Sequence, residues 1–311
     1  MPFSLRILCW NINEGAGGLD KIAEQIRKKS PDIVLLNEIR EKRMPWDVDQ
    51  TPYLSQKTGL KYYKFGETVM TGITGWKGVS ILSRYPLGVT TMHPVMRGSQ
   101  PTTFGTLEAT IRINSVDHRV FSTRFAPLHK PGSPAYDPNA ANDNVAGHQQ
   151  AINLVRRIPP RVPVIFGGDF NANQSSEQMR QFAASSGLTD VFSERPDPEV
   201  NNPDERIDCI FYRGSYKVNQ MEQRAPWTDG VSDHAWVFAE LLSTETSECV
   251  QIRSQIAKYR EEIRLLQESK NSLNPRDRID RQEILQINKD IASLGTKIRG
   301  LEERAASLGC G

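Results

Sequence analysis

After Leu242 the chain changes character, and the change divides what it can fold into. Before it, short apolar runs alternate with clusters of Gly, Pro and Asn. "STETS" at Ser243 to Ser247 reads as a polar linker, and from Glu248 to Gly311 one proline interrupts a long helical pattern. Cys249, Ile252, Ile256, Tyr259, Ile263, Leu266 and Leu273 follow a three-four spacing, and so do Ile284, Ile287, Ile291, Leu294, Ile298, Leu301, Ala305 and Leu308. That spacing lines one stripe of each helix with apolar side chains, as in a coiled-coil seam. Asn274-Pro275 breaks the pattern, and Asp280 with Glu283 offers a capping box for a restart. When antiparallel helices pair positions whose numbers sum to 557, residue 252 meets 305, 256 meets 301, 259 meets 298, 263 meets 294 and 266 meets 291. Every pair is apolar, so residues 248–311 are expected to form an antiparallel helical hairpin. Cys249 and Cys310 then become near neighbours, able to bond if their Cα atoms come within roughly 7 Å. In a reducing cytoplasm they would stay thiols. The slender hairpin could recruit a second copy or a protein partner; the alternative is a plain solvated arm.

The chain of 311 residues suits one large domain, 1–242, with the tail appended through 243–247. A hydrophobic content of 38% sustains a core. A formal net charge of +2 gives no whole-chain field that advertises nucleic acid or membrane. Four cysteines are too few for a disulfide framework at this length. "MPFSLRILCWNINEG" reads as a first strand, not a signal peptide. No apolar run approaches the roughly 20 residues of a membrane span. A cytoplasmic protein without a membrane partner is the expectation.

Strands are expected at "LRILCW" from Leu5, "PDIVLLNEI" from Pro31, "GVSILSRYPL" from Gly78, "TFGTLEATIRI" from Thr103, "HRVFSTRFAPL" from His118, "VIF" from Val164, "RIDCIFYR" from Arg206 and "HAWVFAEL" from His234. Helices suit Lys21 to Lys29 and Gly147 to Arg157. Many strands with few helices favour a mixed α/β domain of two packed sheets. Polar residues punctuate the strand ends: Asn11 after the first, Glu38 ending the second, Asp169 and Asn171 after "VIF", Asp208 opening "DCIFY", and Asp233 and His234 before the last. Any one of these is commonly a turn or cap residue. Five such places in one chain point to a site that rigid strands hold and loops surround.

Taken in order, "CWNIN", "LLNE", "GVSILSRYPL", "GGDFNAN", "RIDCIF" and "SDH" resemble the signatures of the endonuclease/exonuclease/phosphatase superfamily, the DNase I-like fold, over about residues 5–242. The resemblance implies a four-layered α/β sandwich and metal-dependent cleavage of a phosphoester. By the same resemblance Glu38 is the main metal ligand, with Asn11 and Asp233 close by. Asp169 orients or deprotonates the attacking water, and Asn171 holds phosphate and water. His234 stands at the scissile phosphate with Asp208 as its carboxylate partner. Hard oxygen ligands suit Mg²⁺ or Mn²⁺ and not zinc. Asp208 would favour the charged form of His234. The two glycines before Asp169 are expected to let the backbone turn tightly beside the ligand.

The chain departs from the family pattern at Arg124, where family nucleases carry His or Tyr, and at Asn13, a position often acidic in repair nucleases. A guanidinium cannot shuttle a proton near neutrality, so Arg124 is expected to support the phosphate. His129 and His148 are candidates for the missing imidazole, or else a loop residue and a helix-lining one. The loop from Arg124 to Asn144 and the segment "REKR" at Arg40 to Arg43 are expected to rim the site. Lys57, Lys61, Lys64 and Lys77 could track a phosphate backbone, or be ordinary solvated lysines. No long apolar loop suits membrane insertion, which disfavours a sphingomyelinase. The leading reading is a Mg²⁺-dependent nuclease with DNA as substrate. The alternatives are a phosphatase of a small phosphoester or inositol phosphate, and an idle binding domain.

Overall fold

The structure, a computed structural model, describes residues 3–41, 48–70, 75–129, 132–133, 136–193, 206–223, 230–308 and 310. Two compact units result, one formed by Phe3–Ile113 with Asp117–Ser243, the other containing Thr244–Gly311.

The larger unit is built on twelve described strands: β1 (Ser4–Asn11), β2 (Ile33–Glu41), β3 (Tyr62–Met70), β4 (Trp76–Ser83), β5 (Leu87–Arg97), β6 (Gln100–Ile113), β7 (Val116–Arg124), β8 (Val164–Asp169), β9 (Thr189–Asp190), β10 (Asp208–Arg213), β11 (Tyr216–Gln223) and β12 (Val237–Ser243). Four helices accompany them: α1 (Leu19–Lys29), α2 (Gln50–Thr58), α3 (Ala140–Arg156) and α4 (Glu177–Ser186). The strands form two six-stranded sheets, in the orders β11-β12-β1-β2-β4-β3 and β5-β6-β7-β8-β10-β9.

Alternation within the strands explains the layers. Leu5, Ile7 and Cys9 of β1 face a core shared with Ile165 of β8 and Ile210 of β10, between the sheets. Leu8 and Trp10 point the other way, onto Ile22 and Ile26 of α1 and Leu54 of α2. On the second sheet Phe121, Phe166 and Phe211 face Val155 of α3 and Phe182 of α4. The order is therefore helices, sheet, sheet, helices: the four-layered α/β sandwich expected above. Strands buried on both faces read as continuous apolar runs, which is why "ILCW" and "IVLL" are conspicuous.

The structure redraws some boundaries. "GVSILSRYPL" spans the end of β4, a turn and the start of β5. β12 begins at Val237, so His234 lies in the preceding loop. β3, β11, α2 and α4 are additional elements. Gly167 and Gly168 do not turn; they continue β8 as far as Asp169. Gly168 is needed because a Cβ there would lie 1.9 Å from the Thr123 carbonyl on the neighbouring strand β7.

In the smaller unit α5 (Ser247–Asn271) and α6 (Arg278–Ser307) form the helical pair. Ile252, Ile256, Tyr259, Ile263, Ile298, Leu301 and Ala305 cluster along their seam. Cys249 and Cys310 are joined by a disulfide, with Cα atoms 5.4 Å apart. The restart differs from the expected box. Asp277 caps α6, its Oδ1 accepting from the Ile279 and Asp280 amides at 2.7 and 3.3 Å. Asp280 instead accepts from the Asn274 amide at 2.7 Å.

Candidate active site

The site is assembled at one end of the two sheets. In the second sheet Arg124 pairs with Asp169 across β7 and β8, and Asp208 pairs with Asp169 across β10 and β8. Three charged side chains thus share one row. In the first sheet Asn11 pairs with Asn37 across β1 and β2, one residue before Glu38. A β-bulge falls between Asn37 and Ile39, so Glu38 is skipped by the β2–β4 ladder. Its φ of 52° is left-handed, a conformation that costs a non-glycine residue energy and often marks a working site. The bulge re-aims Glu38 at the opposite row. Asn37 donates to the Thr123 carbonyl at 2.7 Å and stitches the two sheets together beside it.

Asn11 is the hub. Its Nδ2 lies 3.0 Å from Glu38 Oε1, 3.0 Å from Asp169 Oδ2 and 3.3 Å from His234 Nε2. Its Oδ1 accepts from the Asn13 amide at 3.1 Å. Asn11 therefore bridges the two carboxylates as a donor. Arg124 donates to Glu38 Oε1 at 2.8 Å, its Nε lies 4.0 Å from Asp169 Oδ2, and its guanidinium sits 5.4 Å from the Phe104 ring centre. The Asn171 amide donates to Asp169 Oδ1 at 3.0 Å, and its Nδ2 to the Phe125 carbonyl at 2.9 Å. His234 places Nδ1 2.7 Å from Asp208 Oδ2. Its loop is tied to β1 twice. The Ser232 hydroxyl donates to the Asn11 carbonyl at 2.7 Å, and the Trp10 indole donates to the His234 carbonyl at 3.2 Å.

The electrostatics follow from burial. Desolvation, then the Asp208 charge, pushes Asp169 up to about 7, against the pull of His234 and Arg124. Desolvation alone would lower His234, but the charge and hydrogen bond of Asp208 outweigh it and raise the imidazole to about 10. Burial pushes Glu38 up, yet the Arg124 charge and the Asn11 hydrogen bond hold it below the usual range. Asp208 Oδ1 is buried with no hydrogen-bond partner among the described residues. Three carboxylates, Glu38, Asp169 and Asp208, thus share the space with two cationic side chains, Arg124 and His234. A further cation would relieve that excess. Glu38, Asp169 and His234 can each bring one ligand atom within 4.8 Å of the others. The oxygens among these are hard donors, a set that fits Mg²⁺ or Mn²⁺.

Other expected residues lie elsewhere. Asp233 is exposed, outside that cluster, and 3.5 Å from Ser232 Oγ. His148 is buried in an aromatic core, 4.6 Å from the Phe125 ring and 5.7 Å from Phe170, and donates from Nδ1 to the Asn144 carbonyl at 2.9 Å. It is a core histidine and not a stand-in catalytic imidazole. His129 is exposed on its loop. Lys57 pairs with Asp20 at 3.0 Å, and Lys61 and Lys64 are exposed. Lys42 and Arg43 of the "REKR" segment lie outside the described residues. Sequence reasoning missed Asn37 and Ser232, whose roles are to brace, and Glu14, which pairs with Arg40 and Lys77. The only local signal for Glu14 is its place directly after the first motif.

Comparison with solved structures finds the same fold. An endonuclease/exonuclease/phosphatase from Beutenbergia cavernae matches with a TM-score of 0.62 at 22% identity, covering 77% of this chain and 72% of that one. TDP2 from Caenorhabditis elegans matches at 0.56 and 16%, covering 78% and 76%. Sphingomyelinase C from Streptomyces griseocarneus matches at 0.53 and 19%, covering 76% and 99%. No curated protein shows significant sequence similarity to the chain. The family model of the endonuclease/exonuclease/phosphatase family matches residues 8–234, from β1 to the His234 loop, and the chain belongs to that family.

Proposed function

We propose that this phosphoesterase-family chain is a Mg²⁺-dependent nuclease, able to use Mn²⁺, that hydrolyses phosphodiester bonds of DNA. One observation supports the reading: Glu38, Asp169 and the Asp208-paired His234 converge on the same asparagine, Asn11. Asp169 and His234 are a base and an acid held a few ångströms apart. Asp169 takes the proton of the attacking water as its oxygen bonds to phosphorus. His234, charged by Asp208, gives its Nε2 proton to the leaving oxygen as that P–O bond breaks. Asn171 braces Asp169, so the base keeps its aim. Arg124 presents a planar fork to the phosphoryl oxygens and offsets the charge that builds on them. Glu38 would hold the divalent ion, whose chemistry is Lewis-acid polarisation of a phosphoryl oxygen.

Polynucleotide is favoured over a small phosphoester by the cations around the opening. Lys77 and Arg124 line a pocket beside Glu38, and Arg40 stands next to it. The test is incubation with supercoiled plasmid, single-stranded DNA, RNA and inositol phosphates in Mg²⁺, Mn²⁺ or EDTA. Nicking of DNA that EDTA abolishes is expected. Release of phosphate from inositol phosphates without cleavage of any nucleic acid would overturn the reading.

A further inference from the structure

A pocket opens beside the catalytic cluster, lined by Glu14, Glu38, Thr68, Lys77, Gly78 and Arg124. One wall of it is an anionic side chain, Glu14. Glu14 accepts from Lys77 on Oε1 and from Arg40 on Oε2, one cation for each oxygen. Two acceptor oxygens gripped by an ammonium and a guanidinium reproduce how a phosphoryl group is held. The backbone at Glu14 supports this placement at a cost. Its φ is 55° and that of Asn13 is 46°, both left-handed. Gln50 fastens the turn, donating to the Glu14 carbonyl at 2.7 Å while its Oε1 accepts from the Arg40 amide at 2.9 Å. The backbone of Lys77 is also tied from behind, for the Thr68 hydroxyl donates to the Lys77 carbonyl at 3.0 Å. Partial burial, then the nearby Arg40 charge, lowers the Lys77 ammonium below its ordinary value. Cations this crowded call for anions, and Glu14 supplies one from a short turn outside the sheets, where no core contact depends on its carboxylate.

We propose that this pocket is a second phosphate subsite, whose cations Lys77 and Arg40 are held by the Glu14 carboxylate on its wall until the phosphate next to the scissile one displaces that carboxylate. The ligand class is a chain with adjacent phosphates, as in a polynucleotide, so the inference deepens the nuclease reading and rests on it for the identity of that ligand. The wall shared through Glu38 and Arg124 puts the subsite next to the reacting centre. A lone phosphodiester gains nothing from such a pocket. A strand does, because its second phosphate carries the same single charge as the Glu14 carboxylate and brings two oxygens to the same donors while the scissile phosphate is held next door. Glu14 thereby raises the threshold for binding in favour of substrates that carry the second phosphate.

The experiment measures binding of inorganic phosphate in EDTA, by calorimetry, to the full-length wild type, to Glu14→Gln, and to Glu14→Gln combined with either Lys77→Met or Arg40→Gln. Thermal melts establish that each variant is folded. Glu14→Gln should bind phosphate about tenfold more tightly than wild type, the scale of one charge-assisted hydrogen bond set free. Either second substitution should cancel the gain; phosphate held by Arg124 and His234 alone would not respond to them. In Mg²⁺, the KM for a short oligonucleotide should fall in Glu14→Gln and rise in Lys77→Met. Equal phosphate affinity in all the folded proteins would overturn the subsite and leave Glu14 a structural ion-pair partner. The gain in phosphate binding without cleavage of any phosphodiester by wild type would leave the subsite standing and remove the nuclease reading.

Discussion

Glu38 shows how much a single backbone choice can do. On a regular strand its side chain would follow the alternation of β2, between Asn37 and Ile39. The bulge and the left-handed φ break that alternation and bring its carboxylate to Asn11 and Arg124. Arg124, in turn, spends its guanidinium on the carboxylate best placed to hold a cation. Two effects follow for Arg124→Ala. Turnover of a phosphodiester should fall by about ten- to a thousandfold, comparable with loss of an oxyanion donor. Mn²⁺ should bind more tightly, by spin-resonance titration, because Glu38 is freed. Arg124→Lys should recover only part of the rate, since a point charge lacks the fork. Wild-type turnover in Arg124→Ala would show that the residue is idle. His148 makes the matching case in the core. Burial lowers it from 6.5 to about 4, so the unfolded chain takes up the proton first as pH falls. Its contribution is full above about pH 6.5 and is lost on the way down to about pH 4, on the order of 3 kcal/mol. Chemical denaturation across that window should show a flatter profile for His148→Phe. A profile of unchanged slope would exclude the buried neutral imidazole as a cause.

Among the elements, the interior ones are legible in sequence and the edges are not. β1, β2 and β8 are buried on both faces, so their apolar runs stand out. β3 and β11 are the two edges of the first sheet, and β3 begins with three exposed residues. An edge strand half in water mixes polar and exposed aromatic positions and shows no continuous apolar run. The caps show the same limit. Asp277 and Asp280 are both acceptable N-caps, and only the path of the chain out of Pro275 selects Asp277. Within β8, Gly168→Ala should destabilise by more than about 3 kcal/mol, because the new Cβ meets backbone and not a yielding side chain. A melt unchanged from wild type would show that β7 and β8 can separate. In the tail, the Cys249–Cys310 bond closes a loop with a sequence separation of 61. Chain entropy puts its worth at about 4 kcal/mol. Reduction, or Cys249→Ser, should therefore lower the melting temperature of α5 and α6 by circular dichroism. Equal melts with and without reductant would mean that the bond contributes nothing.

At the scale of the whole molecule, the candidate site is assembled from residues that are remote in sequence and adjacent in space. Asn11 and Asp169 are 158 positions apart, and Asn11 and His234 are 223 apart. Their residue types and strand-end positions are visible in the sequence through the ordered motifs. The bulge at Glu38, the donor role of Asn11 and the pairing of Glu14 with Lys77 are not, because each depends on which strands lie side by side. At one end of the two stacked sheets Asp169, His234 and Glu38 face one another across Asn11. The central claim is that these groups work together on a phosphodiester. The most direct measurement is single-turnover cleavage of supercoiled plasmid by wild type, Asp169→Asn and His234→Gln, in Mg²⁺ and in EDTA, with folding verified by circular dichroism. The account predicts cleavage by wild type in Mg²⁺ only, and losses of at least about a hundredfold in each variant, the scale of a missing general acid or base. Full cleavage in EDTA, or by either folded variant, would contradict it.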